Sequence, residues 1–188
     1  MSEGNEKLAV EIPNPLSGGG AVGAEVNPVP SAPTFQTERI TDSFLAELVP
    51  LFKAHWKEVA HYEDIPLDPD LDKYRLFDKL GVLRIYTARL AGALIGYSIF
   101  IVQPHPHYQG SIYANNDIIF ISPERRGFGR KFIAWCDDEL RKDGVRVVAH
   151  HVKAAHNWTP MLFRMGYELQ DLICTRRLDR WGTAAQLA

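Results

Sequence analysis

Residues 116–148 read NDIIFISPERRGFGRKFIAWCDDELRKDGVRVV, and this stretch decides the fold. It opens on an apolar run, Ile118-Ile119-Phe120-Ile121, closed by a turn at Ser122-Pro123. A basic, glycine-containing bend follows, from Arg125 to Lys131. Phe128, Phe132, Cys136 and Leu140 then recur at every fourth position with Ile133 beside them, the spacing of one apolar helix face. Asp143-Gly144 stops that helix, and Val145 to Val148 starts a second apolar strand, which Ala149 to Lys153 completes. Strand, bend, helix and strand form a β-α-β crossover, so the two strands are expected to run parallel.

The bend carries the chemical interest. Glycines between a strand and a helix let backbone N–H groups converge on one anion, and the helix dipole favours negative charge there. Arg125, Arg126, Arg130 and Lys131 add positive side chains suited to a polyphosphate. Neither a Walker A loop nor a G-x-G-x-x-G dinucleotide fingerprint is present. A glycine turn followed by a solvated basic helix start fits the same residues.

Upstream, Phe35 to Ile40 reads as a short strand, and Thr41 or Asp42 can cap the next helix. That helix carries the stripe Phe44, Leu45, Leu48, Leu51, Phe52, Trp56, Val59, with Pro50 as a candidate kink. A second helix is expected around Asp70 to Leu80. Val82 to Ala88 and Ala93 to Val102 form a hairpin turning at Arg89 to Gly92. The proline-broken loop Gln103 to Gly110 precedes the central strand, which begins near Ile112. Downstream, Asn157 to Met165 is a short helix stopped by Gly166, and Tyr167 to Leu178 a last strand. The order β-α-α-β-β-β-α-β-α-β predicts a mixed sheet with helices on both faces.

Composition narrows the class. The 188 residues suffice for one domain with a proper core, and 46% apolar content is ordinary for a globular protein. Residues 1–33, rich in glycine, proline and small side chains, are expected to be a disordered tail. The domain spans 34–180, and 181–188 form a C-terminal tail. A net charge of −2 gives no general attraction to nucleic acid or to an anionic membrane. With neither a signal peptide nor an apolar run of membrane length, a cytoplasmic protein is expected. Cys136 and Cys174 sit in apolar-patterned elements and read as buried thiols. The seven histidines, His105-x-His107 and His150-His151 included, form no set with metal-ligand spacing, so no metal is expected.

The segment PERRGFGRKFI, residues 123–133, resembles motif A of the GNAT superfamily, the acyl-CoA-dependent N-acetyltransferases. That signature is Q/R-x-x-G-x-G/A. Arg126 matches its first position and Gly129 its fourth, Gly127 stands where many members also carry glycine, and Lys131 replaces the usual final glycine or alanine. The element order from Phe35 to Leu178 is similar as well. IPLDPD, residues 65–70, and AHNW, residues 155–158, resemble members from bacteria and tailed phages. The resemblance implies a GNAT-like, mostly antiparallel mixed sheet whose two central parallel strands splay apart to admit pantetheine. Backbone groups of Ile119, Phe120 and Ile121 would pair with pantetheine. Arg126, Gly127, Phe128, Gly129, Arg130 and Lys131 would take the pyrophosphate of acetyl-CoA as co-substrate.

Acetyl transfer to an amine needs a neutral nucleophile, and a lysine-like amine costs about 4 kcal/mol to deprotonate at pH 7. Asp117, just before the pantetheine-pairing residues, is the first candidate base; a strand-edge carboxylate with a local hydrogen bond is its other reading. His151 is the second, on the face of its strand that can meet the cleft, whereas His150 points the opposite way. Many members place an acidic tyrosine four residues before the glycine that ends the following helix; here that position is Leu162. Asn157 can cap that helix or touch pantetheine. Family acceptor sites lie near the first helices. His55, Glu58, Tyr62, Glu63 and Asp64 are therefore one candidate wall for a cationic amine, and His105, His107 and Tyr108 another. Solvated loops are the alternative for both. Arg176, Arg177 and Arg180 read as exposed strand-end charges. The acceptor is expected to be a small-molecule or protein amine, with an aminated nucleobase not excluded. The protein can be a homodimer. The reading from another class is a non-catalytic module of the same fold that docks through its tail.

Overall fold

The computed structural model describes residues 32–62 and 64–179; residues 1–31 of the expected 1–33 tail and the expected 181–188 tail, together with Glu63 and Arg180, lie outside them. One five-stranded sheet carries the chain. Strand β1 (Thr34–Glu38) leads into helices α1 (Asp42–Val59) and α2 (Leu71–Lys79). Strands β2 (Leu83–Leu90), β3 (Ala93–Pro104) and β4 (Ile112–Ile121) follow as a meander. Then come α3 (Gly129–Lys142), β5 (Val145–His150) and α4 (Thr159–Phe163). The sheet order is β1-β2-β3-β4-β5, antiparallel throughout except for the parallel pair β4 and β5.

Local chemistry sets these elements. The Thr41 hydroxyl accepts from Phe44 N at 3.1 Å, and the Asp70 carboxylate accepts from Lys73 N at 2.9 Å, so each side chain satisfies a donor that the first helical turn leaves free. Helix α1 runs through Pro50 without interruption. Ala91 and Gly92, at φ 49° and 84°, make the tight turn between β2 and β3. Positive φ at both central residues matches the right-handed twist of the flanking strands.

The sheet has a core on each face. Phe44, Leu45, Leu48 and Phe52 of α1 pack on Leu83, Ile85, Tyr97, Ile99 and Phe120. Phe132, Cys136 and Leu140 of α3 pack on Tyr86, Ala88, Phe100, Val102 and Ala114 on the other. Each fully buried side chain of this size contributes roughly 1.5–3 kcal/mol, so the fourfold apolar spacing of α3 holds the crossover against the sheet.

Strand β4 changes character halfway along. Its pairing with β3 joins Asn116 to Phe100 and Ile118 to Ile99, leaving Asp117 as one extra residue, a β-bulge. The insertion reverses the side-chain alternation: Ile112 and Ala114 pack on the α3 side, whereas Ile118 and Phe120 pack on the α1 side. The parallel pairing with β5 ends at the same place, with Asn116 opposite His150. Asn116, buried there, donates through Nδ2 to Ser98 Oγ at 3.1 Å, Ile118 O at 3.1 Å and Ile99 O at 3.3 Å, which ties the bulge to β3.

Several expectations need correction. The strand expected over Tyr167–Leu178 is not formed; the segment has no regular structure. Its apolar residues break the two-residue period at Leu172-Ile173, so neither face is consistently apolar. Side chains tie it elsewhere. Tyr62 Oη and Thr175 Oγ1 lie 3.1 Å apart, Arg177 donates to both Asp64 and Asp179, and its guanidinium sits 5.1 Å from the Tyr62 ring centroid. Arg177 is thus a tether rather than an exposed charge, and Cys174 is exposed rather than buried. Strand β5 stops at His150, short of Lys153, and the helix expected from Asn157 is the shorter α4.

Candidate active site

Past Asn116 the two parallel strands separate. Residues Ile118–Ile121 pair with β3 on one side, and Asp117–Ile121 have no β5 partner on the other. A backbone edge with free N–H and C=O groups must meet water or a ligand. The opening is a cleft of about 950 Å³, at the large end of small-molecule sites. Helix α1 lines it through His55 and Glu58, the following loop through residues 65–70, and α2 through Tyr74. Opposite stand Arg126, Gly127, Gly129 and Arg130 of the bend, with His151, Lys153, His156 and Asn157 beyond β5.

The bend is built by two glycines with different tasks. Gly127 has φ of 113°, a conformation that side chains disfavour, and it turns the chain from the short 3₁₀ turn Pro123–Arg125 towards α3. Gly129 is the first residue of α3, so backbone donors of the opening helical turn lie at the cleft. A Cβ at Gly129 would lie 3.6 Å from Ile121 Cδ1, an ordinary contact, so space alone does not demand glycine there. The tight approach is at Gly96, where a Cβ would lie 3.0 Å from Phe120 O and push against the half of β4 that has no β5 partner.

Arg126 is held in two ways. Its Nε donates to Ile121 O at 3.2 Å, and its Nη2 donates to Glu58 Oε1 and Oε2 at 2.6 and 2.5 Å. Glu58 therefore pairs with the bend rather than standing apart as an acceptor wall. Among the other expected bend residues, Arg130 reaches the cleft, while Lys131 is exposed outside its lining. The Phe128 ring packs on Phe35 and Phe132, with centroids 5.9 and 6.5 Å away, so its side chain serves the core.

The two candidate bases both reach the cleft. Asp117, the bulge residue, is exposed there and accepts from Tyr74 Oη at 2.8 Å. His151 lines the cleft from beyond the end of β5, while His150 turns inward against Phe100, Trp158 and Tyr167. Burial pushes the His150 imidazole down to about 4, with His151 adding to the shift. Its Nε2 is 3.3 Å from Tyr167 Oη, which donates to Asp137 Oδ1 at 2.6 Å. Leu162, at the position where many members of the resembled family carry a tyrosine, is buried, whereas its neighbour Met161 lines the cleft. Asn157 also lines the cleft, and its Oδ1 accepts from Thr159 N at 3.0 Å and from Thr159 Oγ1 at 2.7 Å, organising the start of α4.

The remaining acceptor-wall residues do not gather here. His105 and His107 belong to the β3–β4 loop, at the opposite end of β4, and His105 packs with Tyr108 and Tyr113. Seven residue-to-residue steps of strand separate Ile112 from Ile119, roughly 23 Å at about 3.3 Å each. Tyr62 and Asp64 face the C-terminal segment instead. The sequence reading missed Tyr74, and it placed His55 only in a loose acidic wall. The His55 ring stacks on Phe120, with centroids 4.9 Å apart at 24°, and its Nδ1 lies 3.2 Å from Tyr97 Oη. Burial pushes this imidazole down to about 4; Glu58 opposes the shift, while Lys153, Arg126 and His156 reinforce it, so His55 is neutral at pH 7. No short-range sequence signal marks either residue, because each meets its partner across more than 40 positions.

Among the described residues no group of histidine, cysteine, aspartate or glutamate is arranged to hold a metal ion, and no helix is long and apolar enough to cross a membrane. No family model matches the sequence, and no curated protein matches it. Solved structures do match the fold. An aminoglycoside acetyltransferase from an uncultured soil metagenomic sample, solved with sisomicin, is 16% identical at a TM-score of 0.62, over 78% of this chain and 96% of that one. A ribosomal-protein-alanine N-acetyltransferase from Brucella melitensis biovar Abortus 2308 is 18% identical at 0.58, over 80% and 100%. A protein from Clostridium acetobutylicum described as a predicted acetyltransferase, solved with acetyl-CoA, is 14% identical at 0.58, over 79% and 99%. The chain has the GNAT fold, and these structural neighbours are acetyltransferases.

Proposed function

We propose that residues 34–180 form an N-acetyltransferase that passes acetyl from acetyl-CoA to a primary amine by direct attack. The observation that carries this reading is the coincidence of three features at one point of β4. Pairing with β5 ends at Asn116, the bulge falls at Asp117, and the freed edge runs into the glycine bend. The residues suit the co-substrate. Backbone groups of Ile119, Phe120 and Ile121 take the pantetheine amides as a neighbouring strand would. The first turn of α3 with Arg126 and Arg130 takes the pyrophosphate, Gly127 shaping the turn. Phe128 contributes by anchoring the bend in the core, and Lys131 lies outside the first circle of contacts.

Asp117 is assigned as base, with His151 as the second candidate. The acceptor ammonium gives a proton to the base, and its nitrogen lone pair then attacks the thioester carbonyl carbon. The C–N bond forms, the C–S bond breaks, and the remaining excess N–H proton leaves with the thiolate, giving amide and free thiol. Proton removal of this kind contributes typically 10²–10⁴-fold. A structural neighbour solved with an aminoglycoside supports a small cationic amine as acceptor, and a protein amine uses the same chemistry.

Calorimetric titration of acetyl-CoA, run beside an R126E/G129E variant, tests the reading. Saturable binding that the variant loses supports it. A wild-type protein that binds no acetyl-CoA refutes it and leaves a non-catalytic module of the same fold.

A further inference from the structure

We infer that Tyr74 is a positioning residue: it fixes the carboxylate of Asp117 for proton removal from the acceptor amine. The inference rests on the acetyltransferase reading above. Asp117 is the inserted residue of the bulge, and no β3 residue stands opposite it. Its side chain is exposed at the cleft, so neither ladder pairing nor packing selects one rotamer. The contact that does is Tyr74 Oη, which donates to Oδ2 at 2.8 Å; Oδ1 has no partner among the described residues and is left for the amine.

Tyr74 is suited to holding still. Its ring packs against Phe52 of α1, with centroids 6.2 Å apart, and it joins the core on that face. The phenol is kept protonated, because burial raises its pKa far above neutrality and the Asp117 charge raises it further. It is therefore a permanent donor. Its hydroxyl proton is committed to Asp117 Oδ2, so Tyr74 is not assigned the role of the tyrosine missing at Leu162. The division of labour follows: Asp117 takes the proton, and Tyr74 determines where the accepting oxygen stands.

The test compares wild type, Y74F, D117N and the double variant, using acetyl-CoA with two probe acceptors. One is n-butylamine, an ammonium at pH 7; the other is hydroxylamine, already neutral there. Thiol release gives the rates, and calorimetry with acetyl-CoA reports the cofactor site. Y74F keeps the ring, and the expected result is about a 10-fold fall in kcat with butylamine, with acetyl-CoA affinity unchanged. D117N falls at least 10²-fold, and the double variant falls no further than D117N alone. Both deficits shrink with hydroxylamine, and both shrink as the pH rises towards the pKa of butylamine itself. Equal losses with the two acceptors, or multiplicative losses in the double variant, overturn the inference. Wild type that binds acetyl-CoA but acetylates neither probe also overturns it while leaving the cofactor site standing; absence of binding removes the function on which it rests.

Discussion

Replacing Glu58 by glutamine should tighten the binding of coenzyme A. In the structure the Glu58 carboxylate takes both short hydrogen bonds of Arg126 Nη2, the guanidinium assigned to the pyrophosphate. An incoming pyrophosphate must share or displace that partner. The Arg126 side chain is 49% exposed and that of Glu58 24% exposed, so solvent screens the pair. Such pairs are worth about 0.2–1 kcal/mol, and releasing Arg126 from the competition should raise affinity roughly 1.4- to 5-fold. Glutamine keeps the shape and removes the charge, so the fold is spared. R126Q should instead weaken binding about 10- to 100-fold, the range of a lost charge-assisted hydrogen bond. In the E58Q/R126Q variant the gain from E58Q should vanish, since it acts only through Arg126. Calorimetry of coenzyme A at two ionic strengths reads all four proteins. Wild-type affinity in both single variants would show that Arg126 does not meet the ligand, and the pyrophosphate assignment would fall with it.

Three further outcomes are expected. His150 titrates near 4 in the fold and near 6.5 when unfolded, so between these values the unfolded chain binds a proton that the folded chain refuses. Its contribution is therefore fully present above pH 6.5 and lost as the pH falls to about 4, by at most about 3 kcal/mol; urea titrations across that window should show a smaller loss in H150F. Gly127→Ala meets no atom within 4 Å but sits at φ 113°, so it should cost on the order of 1–3 kcal/mol through backbone strain, read as a lower thermal midpoint together with weaker acetyl-CoA binding. Gly96→Ala is a steric case: the new Cβ crowds Phe120 O at 3.0 Å and Ile121 Cγ1 at 3.2 Å, and a cost of about 1–3 kcal/mol should appear in denaturant unfolding.

The crossover was legible in the sequence because its signals are local. The apolar run of β4, the fourfold spacing of α3 and the Asp143-Gly144 stop each act within a few residues, and Thr41 caps α1 as its chemistry dictates. The bulge was not legible, since it exists only in the register between β3 and β4. Tyr74 escaped notice for the same reason, lying 43 positions from Asp117. The acceptor-wall reading drew on residue type without position. His105 and His107 have suitable side chains at the wrong end of β4, while Tyr62 and Asp64 are engaged by Thr175 and Arg177. The last strand was over-read from composition, because apolar content without a steady alternation does not specify a sheet edge.

The bulge makes Asp117 a residue whose removal is not equivalent to its substitution. Changing its side chain leaves the backbone path of β4 in place and alters only chemistry at the cleft. Deleting it makes the register with β3 one-to-one, with Asn116 still opposite Phe100 and Ile118 still opposite Ile99. Ile118 and Phe120 would stay on the α1 core, opposite Ile99 and Tyr97, while the cleft would lose the carboxylate together with the extra residue that bends the strand. A frame-preserving loss of one codon thus removes the local kink along with the carboxylate, which no substitution at this position does.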